Sequence, residues 1–173
     1  MTRLLIHVEG ETEETFVNEV LRGHLVACGY SSVSARLLGN ARQRDRRGGI
    51  SAWESARKDI LHHLRGDPGR VASTMVDYYA MPQSGQRAWP GRAAPAPSEG
   101  ASSRRAETVE SALMAEIEAQ MGAGFDPRRF VPYVTMHEFE ALLFSDCQAF
   151  GRAVGRGDLI PDLEAIRRAF ATP

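Results

Sequence analysis

Carboxylates gather at the points where apolar runs of this chain end. The first is VEGETEETFV at residues 8–17, where Leu4, Leu5, Ile6 and Val8 give way to Glu9, Glu11, Glu13 and Glu14. The second is MVDYY at residues 75–79, which closes on Asp77. A third group, His137, Glu138 and Glu140 in HEFEALLFSD, follows the apolar run RFVPYVTM. Carboxylates at the C-terminal ends of parallel strands occupy the edge where open α/β sheets build their sites. An oxygen-only ligand set suits Mg²⁺ or Mn²⁺, which keep several waters and add substrate phosphate oxygens to a few carboxylates. The chemistry that uses such a set is phosphoryl transfer or phosphodiester hydrolysis.

These acids are not equivalent. Glu11, Glu13 and Glu14 fall in the first turn of a helix, where a negative charge gains about 0.3–1 kcal/mol from the helix dipole. That accounts for Glu11 and Glu14, whereas Glu13 stands between this role and one beside Glu9. Glu9 precedes the helix, and an ionised carboxylate at a strand end is costly unless paired or metal-bound. Glu138 and Glu140 point about 200° apart if the helix has already begun, so one ion cannot take both; Glu138, at the strand–helix junction, is the stronger candidate. His137 reads as a helix-start or hydrogen-bonded histidine, with metal contact the lesser alternative given the oxygen preference of Mg²⁺.

The elements that must position these residues follow from periodicity. Leu4 to Val8 is nearly continuous in apolar character, as in a strand covered on both faces of a parallel sheet. Phe16, Val17, Val20, Leu21, Leu25 and Cys28 then repeat as one face of a helix that Gly29 stops. SSVSARLLG at 31–39 is a second strand, and SAWESARKDILHHLRG at 51–66 a helix with Trp53, Ala56, Ile60 and Leu64 on one face. GRVASTMVDYY is a third strand, RRAETVESALMAEIEAQMG a helix, RFVPYVTM a fourth strand, and HEFEALLFSD opens another helix. Strands alternating with helices predict an α/β fold with a mainly parallel four-stranded sheet flanked by helices.

Residues 80–105 change to Pro, Gly, Ala and Ser, a loop of the length that often contacts substrate. ARQRDRRGG at 41–49 carries Arg42, Arg44, Arg46 and Arg47. Arginines match phosphate oxygens with bidentate geometry, and such contacts supply most nonspecific nucleic-acid affinity. The alternative is a solvated basic turn with Asp45 as internal partner. Trp89, between Arg87 and Arg92, either stacks on a base or docks its loop on the core. His62 and His63, near a helix end, read as surface or capping residues.

A chain of 173 residues with 43% hydrophobic content and net charge −1 is expected to form a single domain, 1–173, with a C-terminal helical segment at 137–173. It has no run of roughly 18 apolar residues and no signal-peptide pattern at its start, which predicts a cytoplasmic protein without membrane partners. Cys28 and Cys147 form no CxxC and read as reduced thiols. Lys58 is the only lysine beside a large number of arginines, and no function follows from that bias. The phosphate cradle GxxxxGK[ST] is absent, which disfavours a small-molecule phosphate enzyme.

VEGETEETFV together with a later strand ending MVDYY resembles the Toprim fold, a Rossmann-like sheet in which a strand-Glu-Gly turn is followed two strands later by Asp-x-Asp. The VEGxTE spacing is especially similar to the Toprim domains of the overcoming-lysogenization-defect nucleases, and with HEFEALLFSD the chain resembles an uncharacterised bacterial Toprim-like family. The resemblance covers Leu4 to about Asp146. It implies a metal-dependent nuclease, active in bacterial defence beside an ATPase partner. Glu9 then matches the general acid or base, Glu13 the neighbouring metal-binding acid, and Asp77 the first aspartate of Asp-x-Asp. Tyr79 stands where the second aspartate belongs, which removes one ligand. That departure keeps open a second reading, a Toprim-like binding module that docks an ATPase or nucleic acid without cutting.

Overall fold

The computed structural model describes residues 1–39, 50–93 and 101–170. The chain forms two compact units, Met1–Met136 and His137–Pro173. Among the described residues no helix is long and apolar enough to cross a membrane.

The first unit is built on a parallel sheet. Its strands are β1 (Arg3–Val8), β2 (Ser32–Leu37), β3 (Arg70–Asp77), β4 (Phe130–Val131) and β5 (Val134–Thr135). They lie in the order β2-β1-β3-β4, with β5 also paired to β3. In register, Val8 of β1 stands opposite Leu37 on one side and Met75 on the other. Leu4 to Val8 are all buried, as their unbroken apolar character requires of a central strand with helices on both faces.

Where one fourth strand was expected, the chain makes two short ones. Pro132 has no N–H to donate and interrupts the ladder between β4 and β5. The buried Thr74 hydroxyl fills the break: its Oγ1 donates to the Tyr133 carbonyl and accepts from the Tyr133 N–H, each at 2.9 Å. The sheet therefore has five strands.

The helix after β1 also departs from a single regular face. It comprises α1 (Glu11–Phe16), a π-helical turn at Val17–Leu21 and α2 (Arg22–Ala27). The wider turn advances the side chains after it out of the 3.6-residue register. Val17 is fully buried, yet Val20 is 60% exposed and Cys28 lies in solvent. Gly29 ends the segment at φ 109°, a left-handed conformation that glycine adopts at no steric cost.

α3 (Trp53–Gly66) and α4 (Ala101–Met121) pack on the opposite face of the sheet. Trp53, Ala56, Ile60 and Leu64 form the buried stripe of α3 and join Val109, Leu113 and Ile117 of α4 and Phe130 of β4 in one core. Arg129 ties the far end, donating to the carbonyls of Leu64, Asp67 and Arg70.

The second unit is a small helical assembly. A 3₁₀ helix (Phe139–Asp146) stands where a longer α-helix was expected, and α5 (Cys147–Ala153) begins only after it. Asp146 caps α5 by accepting from the Ala149 N–H at 2.8 Å. α6 (Ile160–Arg168) approaches α5 at Gly151, where a Cβ would meet Ile160 Cγ1 at 2.5 Å. Cys147 is buried and reduced, its Sγ donating to Phe144 O.

Candidate functional site

β1 ends at Val8, and Glu9 and Gly10 make the turn into α1. Gly10 is extended, at φ −133° and ψ 174°, and its carbonyl accepts the first helical bond, from Glu14 N, at 3.1 Å. No strain demands glycine here; space does. A Cβ on Gly10 would lie 2.9 Å from Glu13 Oε2, so the Glu13 carboxylate is folded back over the turn. Glu13 is accordingly buried, whereas Glu11 of the same first turn is exposed. The helix-dipole explanation covers Glu11 and Glu14 and leaves the orientation of Glu13 to the turn itself.

Asp77 closes β3 and is buried. The Val8–Met75 pairing places Glu9 one residue beyond the register on β1 and Asp77 two residues beyond it on β3. With parallel strands about 4.8 Å apart and about 3.3 Å per residue, their backbones are within about 6 Å of each other. Alternation puts Asp77 on the face of Met75, the side of the sheet that α1 covers.

The connections make this point special. From β1 the chain leaves toward β2, and from β3 it leaves toward β4, so the order β2-β1-β3-β4 reverses between β1 and β3. A crevice opens at the carboxyl ends of strands where such a reversal occurs, and ligands of open α/β sheets bind there. Glu9 and Asp77 flank it, and Glu13 sits over its β1 side. Beyond Asp77, Tyr78 N donates to Thr135 O at 2.7 Å and holds β5 against the same edge.

Among the described residues, no group of three or more His, Cys, Asp and Glu side chains is arranged to hold a metal ion. The carboxylates offer no closed cage. Their chemistry does fit Mg²⁺ or Mn²⁺, which are held by one or two carboxylates and complete their shell with water and substrate phosphate.

Glu138 and Glu140 are exposed and belong to the second unit, one before the 3₁₀ helix and one inside it. At three residues per turn they still occupy different faces. His137 opens the same unit and is exposed. Arg42, Arg44, Arg46 and Arg47 lie outside the described residues.

Trp89 is 2% exposed and is corrected from a base-stacking candidate to a core residue. Its ring packs on Trp53 with centroids 5.1 Å apart, and Nε1 donates to Ser51 O at 3.0 Å. Buried against Trp53 and with its N–H committed, it docks residues 80–93 onto the core. Arg87 assists by donating to Ile50 O at 2.8 Å.

A buried histidine pair was not anticipated. His7 on β1 is fully buried, and His63 of α3, expected at the surface, is buried against it. His7 Nδ1 donates to Ser73 O at 3.2 Å, which leaves Nε2 as the acceptor for His63 Nδ1 at 3.0 Å. Burial, opposed by the Ser73 bond and reinforced by His63, Arg36 and Arg70, holds the His7 pKa down to about 3. His63 is lowered by burial first and by Arg36 and Arg70 next. The sequence signal was a histidine inside an otherwise apolar strand. A shallow hollow beside His63, lined also by Arg3, His62, Asp67 and Arg70, opens near the start of β3, away from the carboxylates at its end.

A family model described as a domain of unknown function (DUF4276) matches residues 8–173. No curated protein and no solved structure matches the chain.

Proposed function

From the premise that the chain belongs to the DUF4276 family, we propose that it is a Toprim-like, metal-dependent nuclease that hydrolyses nucleic-acid phosphodiesters. The observation that carries this reading is the placement of Glu9 and Asp77 on neighbouring parallel strand ends at the reversal of strand order. The Toprim likeness of VEGETEETFV and MVDYY supplies the reaction class, and a role in bacterial defence beside an ATPase partner rests on that likeness alone.

Glu9, Glu13 and Asp77 are the residues that would hold Mg²⁺ or Mn²⁺. Such an ion polarises a phosphate oxygen and lowers the pKa of bound water. The chain's own contribution is position: β1 and β3 bring the backbones of Glu9 and Asp77 to adjacent strand ends, and Glu13 folds back over the Gly10 turn. One carboxylate, Glu9 by its likeness to the Toprim glutamate, takes the proton of the attacking water.

A second reading, a binding module that does not cut, is favoured by Tyr79 in the place of an aspartate and by the lack of a three-ligand group among the described residues. Glu9→Gln separates the two. Wild type and variant are incubated with Mg²⁺ or Mn²⁺, with and without an ATPase encoded beside the protein, on plasmid, single-stranded DNA and RNA. Cleavage that falls about 10²–10⁴-fold in the variant at an unchanged melting temperature supports the nuclease. Cleavage equal in both proteins places it in another centre. No cleavage by the wild type on any substrate favours the binding module.

A further inference from the structure

Immediately beyond Asp77, two tyrosines meet an arginine from the following loop. Tyr78 is buried and Tyr79 is 57% exposed, their rings edge to face with centroids 5.2 Å apart. Arg92, only 7% exposed, sits over Tyr78: its guanidinium is 3.9 Å from the Tyr78 ring centroid and 5.9 Å from that of Tyr79. Its Nε donates to the Tyr78 carbonyl at 2.8 Å. With its amide oxygen turned inward, Gln83 accepts from Nη2 at 2.9 Å and Nη1 at 3.1 Å.

Every one of these partners is neutral. A guanidinium gains most from a charged, bidentate partner. Its fork of terminal nitrogens faces an exposed glutamine amide, a contact that two oxygens of an anion improve upon by charge-assisted, bidentate hydrogen bonds. Tyr79 adds a different requirement. It is a large ring left open to solvent, yet held by Tyr78 and the guanidinium, so a flat partner can lie on it at little cost in side-chain entropy.

We propose that Tyr79 and Arg92 form a nucleotide subsite at this edge, in which an unpaired base stacks on Tyr79 and the adjoining phosphate displaces Gln83 from Arg92. The ligand is a single strand, because a base must leave its own stack to lie on the ring. This rests on the nuclease reading and deepens it. In the position of the absent second aspartate the chain carries a platform that holds the substrate strand beside Glu9 and Asp77.

The test is binding, measured without cleavage. Fluorescein-labelled single-stranded DNA and RNA 12-mers are titrated with the full chain in EDTA, with fluorescence anisotropy as readout and melting temperature as a check on folding. Tyr79→Phe is expected to bind as wild type, and Tyr79→Ala about 5- to 150-fold more weakly, the range for losing one stacked base. Arg92→Gln, which removes the charge, is expected to reduce the salt slope by about 0.7, one phosphate contact on a single strand. Arg92 also holds the Tyr78 carbonyl, so the deciding measurement avoids altering it: oligonucleotides with one abasic position, scanned along the strand. One position weakens wild-type binding, and the same position has no effect on Tyr79→Ala. Firm wild-type binding that Tyr79→Ala and every abasic position leave unchanged overturns the subsite and spares the nuclease reading. A wild type that binds neither single strand also overturns the subsite, while the cleavage assay with Mg²⁺ or Mn²⁺ on plasmid decides the nuclease reading separately.

Discussion

His7 and His63 share one proton along a fixed direction. The Ser73 carbonyl can only accept, so His7 Nδ1 carries a hydrogen; His7 Nε2 therefore accepts from His63 Nδ1, 3.0 Å away. His7 is neutral in this arrangement. Protonating His7 places a second hydrogen between two nitrogens that already share one, inside a layer with Arg36 and Arg70 nearby. The pair joins β1 to α3 across the interior of the first unit and ties its stability to pH.

The sign follows from linkage. The folded-state pKa of His7, about 3, lies below its ordinary value of 6.5, so the unfolded chain binds the proton more readily between these values. Stability is full above pH 6.5 and falls as pH drops through that window, by about 1.4 kcal/mol per unit for this one group. At pH 5 the loss is about 2 kcal/mol relative to neutrality, with His63 acting in the same direction. Urea denaturation at pH 5 and pH 7 measures it, and His7→Gln is expected to flatten the difference.

Gly10→Ala tests whether the folded-back Glu13 carboxylate matters. The new Cβ falls 2.9 Å from Glu13 Oε2 and displaces it. Gly10 has a negative φ, so the backbone accepts alanine without strain, and only the weaker N-cap preference costs stability, up to about 1 kcal/mol. A melting temperature within about 4 °C of wild type is expected. Metal-dependent cleavage is expected to fall by about 10²-fold, the order produced by misplacing a catalytic group by about 1 Å. Unchanged cleavage returns Glu13 to the helix dipole.

Much of this architecture is legible in the residues, and the rest has definite physical reasons for hiding. Leu4 to Val8 and the Trp53, Ala56, Ile60, Leu64 stripe are local patterns, and local patterns report elements well. That β1 and β3 are neighbours is not local: it depends on pairing between residues 3–8 and 70–75, which no periodicity encodes. The positions of Glu9 and Asp77 at strand ends could be read from the chain, but their adjacency needed the sheet. Val20 was misplaced because a π turn shifts phase without a glycine or proline to announce it. His63 was misplaced because its burial depends on a partner 56 residues away.

Trp89 supplies a prediction about the loop. Its indole fills space beside Trp53 and bonds Ser51 O, so Trp89→Ala opens a cavity and is expected to cost about 3–5 kcal/mol in urea denaturation. Trp89→Phe keeps most of the ring but strands the Ser51 carbonyl, and about 1–3 kcal/mol is expected. Trp89→Phe, once folded, is expected to keep its affinity for an oligonucleotide. A Trp89→Phe protein that folds as wild type but binds more weakly places the ring on a ligand rather than in the core.

The arginine run separates phosphate binding from solvation. Arg42, Arg44, Arg46 and Arg47 occur within six residues, with Asp45 as the one acid among them. If the run neutralises phosphates, each contact releases counterions and contributes roughly 0.9 to the log–log salt slope on duplex DNA, or roughly 0.7 on a single strand. Replacing Arg44, Arg46 and Arg47 together with alanine is expected to lower the slope by about 2–3 on duplex DNA and to weaken binding most at low salt. Its effect is expected to be independent of base identity, because backbone contacts carry no sequence information. Stacking on Tyr79 behaves differently: it responds to an abasic position and adds nothing to the salt slope. Measuring both variants across 50–200 mM salt therefore resolves two contributions that a single affinity would merge. A triple-alanine protein with the wild-type slope makes the run a solvated turn balanced by Asp45, and leaves Arg92 to supply the phosphate contact.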